Sequence, residues 1–513
     1  MIRTVGGNND HVVVVGAGLA GLSAALHLAG RSRAVTVVER HPVPGGRVGR
    51  MDTHGYRLDT GPTVLTMPDI IDDVFAAVGA DRAQRLELTP VEPAYHASFA
   101  DGSEIDVHSD AGAMADAVEG FAGPDAAAGY LRLRDWLTRL YRIEFDGFIA
   151  ANFDSPLSLL TPQLARLAAI GGFRRWDRMV GRFISDERLS RVFTFQSLYA
   201  GVPPQRALAV YAVIAYMDTV AGVYYPHGGM RALPDAMAAA AADAGVRFEY
   251  QSEVTALERS GDRVTAVLTR RGQRIPCDAV VLTTELPQTY RLLSRTPRRL
   301  LPLRPAPSAV VVHVGCRSQD SNAHRRAHHT IVFGGAWQQT FDDIIRDGRV
   351  MTDPSVLVTR PTATDKTVAP PGRDLLYILA PAPNLACGVV DWATDGDRYT
   401  EQIIDTVRAR LHPELGDDAA VLHVVNPHHW AEQGMAAGTP FALAHTFGQT
   451  GPFRPANTVR GADNAVLAGS STVPGVGVPT AMLSGRLAAD RITGPVDGRQ
   501  PKRRVLSMPG RRR

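Results

Sequence analysis

Gly16, Gly18 and Gly21 stand at G-x-G-x-x-G spacing, behind four consecutive valines (residues 12–15) and ahead of a helical pattern over 19 to about 29. That arrangement suits one kind of chemistry, the capture of a pyrophosphate. The first glycine permits a tight turn, the second lets backbone approach the phosphates, and the third lets helix pack closely on strand. The helix would aim the positive end of its dipole at the anion. A second apolar strand over 35–38 ends at Glu39, an acid placed to accept hydrogen bonds from an adenosine ribose. Strand, turn, helix and acid agree on a dinucleotide and leave NAD and FAD both open. An ordinary glycine-rich turn between strand and helix is the plainer alternative.

Two further stretches could serve the same ligand. In Pro44-Gly45-Gly46-Arg47, the backbone around Gly46 and the Arg47 guanidinium can converge on phosphate oxygens, although a glycine turn with a solvated arginine is the bland counterpart. Gly61-Pro62 makes a rigid turn that could bring backbone against a flat ring.

The elements that must position these residues follow from periodicity. The valine run reads as a strand covered on both faces, hence part of a parallel sheet. A helix over 68–78 places Ile70, Ile71, Val74, Phe75 and Val78 on one face. Residues 120–222 are mostly helical, with Thr161 as an N-cap before Pro162. A helix over 230–244, a strand over 246–250, a hairpin around Gly261-Asp262 and a strand over 278–283 return the chain to the nucleotide-binding fold. Strands over 308–314, 355–359 and 375–380 and a helix over 398–411 build a second region. A strand over 464–469, a loop over 470–478 and a helix over 479–492 form a second strand–loop–helix unit. It predicts that the end of the chain folds back to complete the cofactor site.

At 513 residues the chain is long enough for two domains, and 45% apolar with 21% charged residues is ordinary for a globular protein. A net charge of +3 gives no reason to expect nucleic acid. Cys277, Cys316 and Cys387 are too few and too scattered for a disulfide framework or a metal site, which fits a reducing cytoplasm. The first ten residues are polar and predict no secretory leader, and no apolar run is long enough to cross a bilayer. From 496 the chain reads as a disordered tail, rich in arginine, with contact to anionic lipid the minority reading.

Taken together, these segments resemble the bacterial and fungal type of phytoene desaturase, within the amine-oxidase-like flavoproteins. The resemblance rests on Pro44-Gly45-Gly46-Arg47, on Asp59-Thr60-Gly61-Pro62-Thr63-Val64, and above all on Thr472-Val473-Pro474-Gly475-Val476-Gly477-Val478-Pro479. Tyr225-Pro226-His227-Gly228-Gly229-Met230 and Val390-Asp391-Trp392 support it. It implies an α/β fold: a Rossmann-like FAD-binding domain of glutathione-reductase type, with a discontinuous α+β substrate domain. The expected division gives 10–80, 225–307 and 455–495 to FAD, and 81–224 and 308–454 to the substrate and a membrane-facing surface.

The resemblance also implies site residues. Gly16, Gly18, Gly21 and Glu39 would hold the ADP half of FAD, Gly46 and Arg47 the phosphates, and Val254 the adenine through its backbone. Gly61, Pro62, Gly469, Val478 and Pro479 would lie near the ribityl chain and ring. The implied reaction is stepwise dehydrogenation of 15-cis-phytoene to lycopene or a carotene of shorter conjugation, with quinone or oxygen as electron acceptor. No proton-transfer residue comes with it. The Asp and Arg proposed in some members fall near Pro156 and Leu159 here, and Asp177 and Arg178 do not align with them. His227 replaces an arginine, and Ser470-Ser471 an Ala-Gly pair.

Desaturation needs a hydride acceptor, loss of a neighbouring proton and a dry, shaped cleft. The sequence has no zinc-protease helix, nucleophile elbow, cysteine cluster or P-loop to suggest otherwise. His328-His329 and His428-His429 read as loop or core rather than metal ligands, because neighbours on a strand face opposite ways. Trp337, Phe341, Trp392 and Trp430 read as core before tunnel lining. A hydrocarbon dissolved in lipid favours a cytoplasmic enzyme docked peripherally on a membrane. Residues 157–178, apolar, basic and aromatic, are the candidate surface. Other FAD enzymes acting on polyenes (an isomerase, a ketolase or oxidase, a retinoid saturase) and a non-redox prenyl-binding escort remain as alternatives.

Overall fold

In the computed structural model, residues 2–299, 302–318, 327–412, 415 and 418–496 are described. Among them, a six-stranded sheet is ordered Arg247–Glu249, Ala34–Val38, His11–Val15, Ala279–Leu282, Ala462–Leu467, Thr458–Val459. Its first five strands run parallel and its last antiparallel. The valines of His11–Val15 are buried on both faces, as a continuous apolar run demands.

The first and last long helices cover one side of this sheet. Leu19–Ala29 and Val478–Thr493 cross at Gly485, where a Cβ would lie 2.3 Å from Ala20 O and 2.7 Å from Ala24 N. Ser23 Oγ donates to the Met482 carbonyl at 2.7 Å across the same contact. The expected return of the chain's end to its beginning is therefore present as a close helix pair.

A seven-stranded sheet forms the second layer, ordered Ala420–Val425, Ser308–Arg317, Arg373–Ala382, Val356–Thr359, His329–Phe333, Tyr95–Phe99, Glu104–Val107. Strand alternation sorts its residues into two cores. Val312, Val332, Val356 and Ile378 face the helix Gly396–Arg410 side, whereas Ile331, Phe333 and Leu357 join the core shared with the helical region. That region contains Pro124–Glu144, Pro162–Ala169, Ser197–Ala200 and Val213–Thr219. Thr161 caps its helix as expected, its hydroxyl accepting from Leu164 N.

Some elements were not legible in the pattern. The strands Tyr95–Phe99 and His329–Phe333 are entirely buried, so no polar alternation marks them. His328 precedes its strand rather than lying in it, and its ring sits 4.5 Å from that of His329 instead of facing away. His428 and His429 lie on a helix, Pro427–Glu432, where His429 Nδ1 completes a capping box with Asn426. The four aromatics Trp337, Phe341, Trp392 and Trp430 are all core. The tail lies, from 497 on, outside the described residues.

Candidate active site

One row of residues crosses the parallel sheet in register: Glu249, Val38, Val15, Leu282 and Leu467. The residues that follow these strand ends, Glu39, Gly16, Thr283 and Ala468-Gly469, therefore line a single carboxyl edge. Two strand spacings, about 10 Å, separate the opening glycine turn from the closing one. Such an edge is where open α/β sheets bind ligands.

The edge is shaped by what is missing from it. Gly16 has φ +106°, and a Cβ there would lie 2.4 Å from Thr283 Oγ1. A Cβ on Gly21 would meet Gly16 O at 2.0 Å, so no side chain fits between turn and helix. Gly18 and Gly46 face each other, a Cβ on Gly46 lying 3.1 Å from Gly18 Cα. Gly45 N donates to Ala17 O at 2.9 Å, which stitches the Pro44-Gly45-Gly46-Arg47 loop to the first turn. The result is a bare backbone slot suited to a pyrophosphate.

Glu39 is buried at the end of its strand. Its Oε2 accepts from Ala17 N at 2.7 Å and its Oε1 from His41 N at 2.9 Å, which fixes the carboxylate and leaves further lone pairs for ribose hydroxyls. Val254 packs in one core with Val15 and Val38, near the same edge. The Arg47 guanidinium is paired with the carboxylate of Glu285, which follows the strand Ala279–Leu282.

The second sheet presents a polar row to this edge. Register places Tyr95, His329, Thr359, Tyr377, His313 and His423 side by side on its inner face, because each shares the strand parity of its neighbour. This row grips the segment around Gly61 and Pro62. Tyr377 OH donates to Gly61 O at 2.8 Å, the His313 imidazole donates to Asp59 O at 2.9 Å, and the Thr359 and Thr63 hydroxyls bond at 3.0 Å. On its other side Gly61 passes so close to Arg47 O that a Cβ would lie 1.9 Å from it. Beside this row runs an apolar one, Ala97, Ile331, Leu357, Leu379 and Val311, packed into the hydrophobic cores.

Asp59 anchors the loop from behind. Its carboxylate accepts from Met230 N at 2.9 Å and Tyr225 OH at 3.1 Å, which explains the Tyr225 to Met230 segment. Burial pushes its pKa up to about 6 against those donors.

The closing loop hangs on Arg454. Its fully buried guanidinium donates to the carbonyls of Thr472 (2.9 Å), Ser470 (2.6 Å), Gln449 (3.2 Å) and Leu443 (3.4 Å). Burial pushes its pKa down to about 10, so it stays charged at neutral pH. Gly469, with φ +119°, donates its N–H to Ser484 Oγ at 3.0 Å, and Val478 and Pro479 open the last helix. Sequence reading missed Arg454, Tyr377 and Glu285. A single arginine, tyrosine or glutamate inside an irregular or uniformly buried stretch carries no periodic signal.

The glycine cradle, the fixed Glu39 and the proximity of the two loops fit a dinucleotide with a flat ring. A family model for flavin-containing amine oxidoreductases matches residues 19–493. The chain belongs to that family. The dinucleotide of this flavin-containing oxidoreductase is accordingly FAD. A relative in Streptomyces griseus, phytoene dehydrogenase, is 61% identical over 509 residues, covering 99% of both chains. A zeta-carotene-forming phytoene desaturase of Myxococcus xanthus is 34% identical, covering 94% of this chain and 93% of its own. An oxidoreductase from Methanosarcina mazei shares the fold at 15% identity, with a TM-score of 0.61 over 93% of this chain and 99% of its own. Among the described residues no cluster of His, Cys, Asp or Glu could hold a metal ion, and no helix is long and apolar enough to cross a membrane.

Proposed function

We propose that this flavin-containing oxidoreductase is a phytoene desaturase, removing hydrogen from 15-cis-phytoene in successive steps toward lycopene or a carotene of shorter conjugation. The observation that carries the reading is the 61% identity to the Streptomyces griseus phytoene dehydrogenase along 99% of both chains. The apolar row beside the Gly61 loop supports it, because a hydrocarbon offers no hydrogen-bonding handle and is held by area alone. We assign 10–80, 225–307 and 455–495 to FAD, and 81–224 and 308–454 to the substrate.

Gly16, Gly18, Gly21, Gly46 and Glu39 would hold the ADP half of FAD, with Val254 beside the adenine. Arg47 would turn from Glu285 or share it while meeting the phosphates. Gly61, Pro62, Gly469, Val478 and Pro479 would border the ring. When bound, FAD supplies the hydride acceptor; quinone or oxygen would reoxidise it. The residues of this chain orient the polyene on the sheet and keep water away.

A membrane surface would deliver the substrate. Leu157 (73% exposed), Leu160 (75%) and Phe447 (62%) are large apolar side chains left in solvent. Phe447 packs on Phe453, whose segment touches Pro156–Leu159, so the three form one patch. Phe173, Arg174, Arg175 and Arg178 are exposed on the stretch that follows. Apolar residues beside arginines suit an anionic lipid interface.

The test is to load the purified protein with FAD, supply phytoene in liposomes with a quinone or oxygen, and chromatograph the extract. Products with longer conjugation and no added oxygen are expected. Unchanged phytoene in the presence of bound flavin would refute the reading, and oxygenated or merely isomerised polyenes would favour the related enzymes.

A further inference from the structure

Pro156 and Leu159, where an acid–base pair would align, lie in the patch at the molecular surface and cannot exchange a proton. Desaturation still requires somewhere for one to go. Most acids buried in this molecule are already engaged. Glu39 and Asp59 accept backbone or tyrosine donors, Asp343 is bonded to Gln339 and Thr352, and Asp365 and Asp374 are held by threonines. Among the described residues, the fully buried acids with an oxygen lacking any hydrogen-bond partner are Glu144 and Asp218.

They differ in what surrounds them. Among the described residues no hydrogen-bond donor reaches Glu144 Oε1, and burial alone holds its carboxyl well above the usual range, so it is a neutral acid with no readiness to take a proton. Asp218 stands on the helix Val213–Thr219, opposite the polar row of the second sheet. The Tyr95 hydroxyl and the Gln196 amide face it, near enough to favour its ionised form, yet its Oδ2 and the Tyr95 hydroxyl both remain without an aligned partner. Ser197 Oγ, Gln196 Oε1 and His329 Nε2 are orphaned too, the last on the ring that packs 5.5 Å from Tyr95. So many open polar atoms do not survive burial unless something engages them in turnover or water fills the site. Tyr199 lies within electrostatic reach of both Asp218 and Tyr377, and Tyr377 is the residue bonded to Gly61 O. Tyr199 thus links the orphaned cluster to the residue that holds the Gly61 loop.

We propose that Asp218 is the proton acceptor in desaturation. FAD, when bound, would supply the acceptor for the hydride, with its two electrons, that leaves one carbon of the substrate. The neighbouring carbon's C–H bond breaks toward Asp218 Oδ2. Its proton ends on the carboxylate, and its electron pair becomes the new π bond. The assignment rests on the desaturase reading above. Burial raises the pKa of Asp218 to about 7 against the pull of Tyr95 and Gln196, which leaves a substantial ionised fraction at neutral pH. The groups facing it are Tyr95, Tyr199 and Gln196, with the neutral His329 behind Tyr95.

The test compares wild type, Asp218→Asn, Asp218→Glu and Tyr95→Phe, each loaded with FAD and given phytoene in liposomes. Asp218→Asn should take up FAD with an unchanged absorption spectrum and lose about 10²- to 10⁴-fold in rate, the usual worth of a positioned base. Asp218→Glu should recover part of that loss. The wild-type rate should fall as pH drops through about 7. Tyr95→Phe, which removes a group favouring the ionised form, should move that limb to higher pH. Independently of turnover, the infrared band of a protonated buried carboxyl that titrates near 7 should be lost in Asp218→Asn, while the Asp59 band, titrating near 6, should remain. Should that variant fail to fold, the wild-type limb and its shift in Tyr95→Phe still decide. A wild-type enzyme active on phytoene but without an acid limb overturns the assignment, as does an Asp218→Asn enzyme within threefold of wild type. A wild type that leaves phytoene untouched overturns the desaturase reading instead.

Discussion

Glu39 shows how one side chain can be both structural and ligand-directed. Its two oxygens each accept a backbone N–H, from Ala17 at the glycine turn and from His41 beyond the strand. The carboxylate therefore sets the shape of the turn as well as offering its remaining lone pairs outward. Glu39→Gln would point an amide donor at one of those N–H groups and remove the charge. A hydrogen bond to a charged group is worth about 1.5–3 kcal/mol, so FAD affinity should fall roughly 10- to 100-fold. Titrating FAD into the apoprotein by flavin fluorescence measures this, and an unchanged dissociation constant would discard the role.

At the level of elements, the parallel sheet was readable because chain chemistry and geometry agree there. A valine run, three glycines and an acid at fixed spacing leave little choice of structure. The second sheet was only partly readable. His329–Phe333 and Tyr95–Phe99 are buried on both sides, and with no solvent face their sequence shows no alternation. The polar row that grips the Gly61 segment is a property of six strands in register, not of any one of them. For the same reason Asp218 was invisible: nothing in its own helix distinguishes it until Tyr95 arrives from another element. The contact of the two terminal helices at Gly485 is similarly a tertiary fact. Gly485→Val would drive side-chain atoms into Ala20 O and Ala24 N, which are backbone and cannot swing aside. The expected cost is about 1–3 kcal/mol, seen as a lowered melting temperature together with weaker FAD retention. A variant that melts with wild type would show the crossing to be looser than described.

The whole molecule brings a dinucleotide edge, an apolar sheet face and an exposed oily patch into one chain. If the patch meets lipid, Leu157→Glu, Leu160→Glu and Phe447→Glu together should abolish flotation with anionic liposomes, since each buried side chain contributes about 1.5–3 kcal/mol. FAD absorbance should survive, because the three side chains are exposed to solvent and none belongs to the residues assigned to FAD. Equal flotation of wild type and triple variant would dismiss the surface.

The pairing of Leu19–Ala29 with Val478–Thr493, and of Gly16 with Gly469 across one strand, has a temporal side. A ribosome delivers the opening turn first and must then make more than four hundred further residues before its counterpart emerges. Until then the nascent protein carries half a flavin cleft and an uncovered helix. It cannot turn yellow by halves; the pigment must wait for the second loop and its helix to be made.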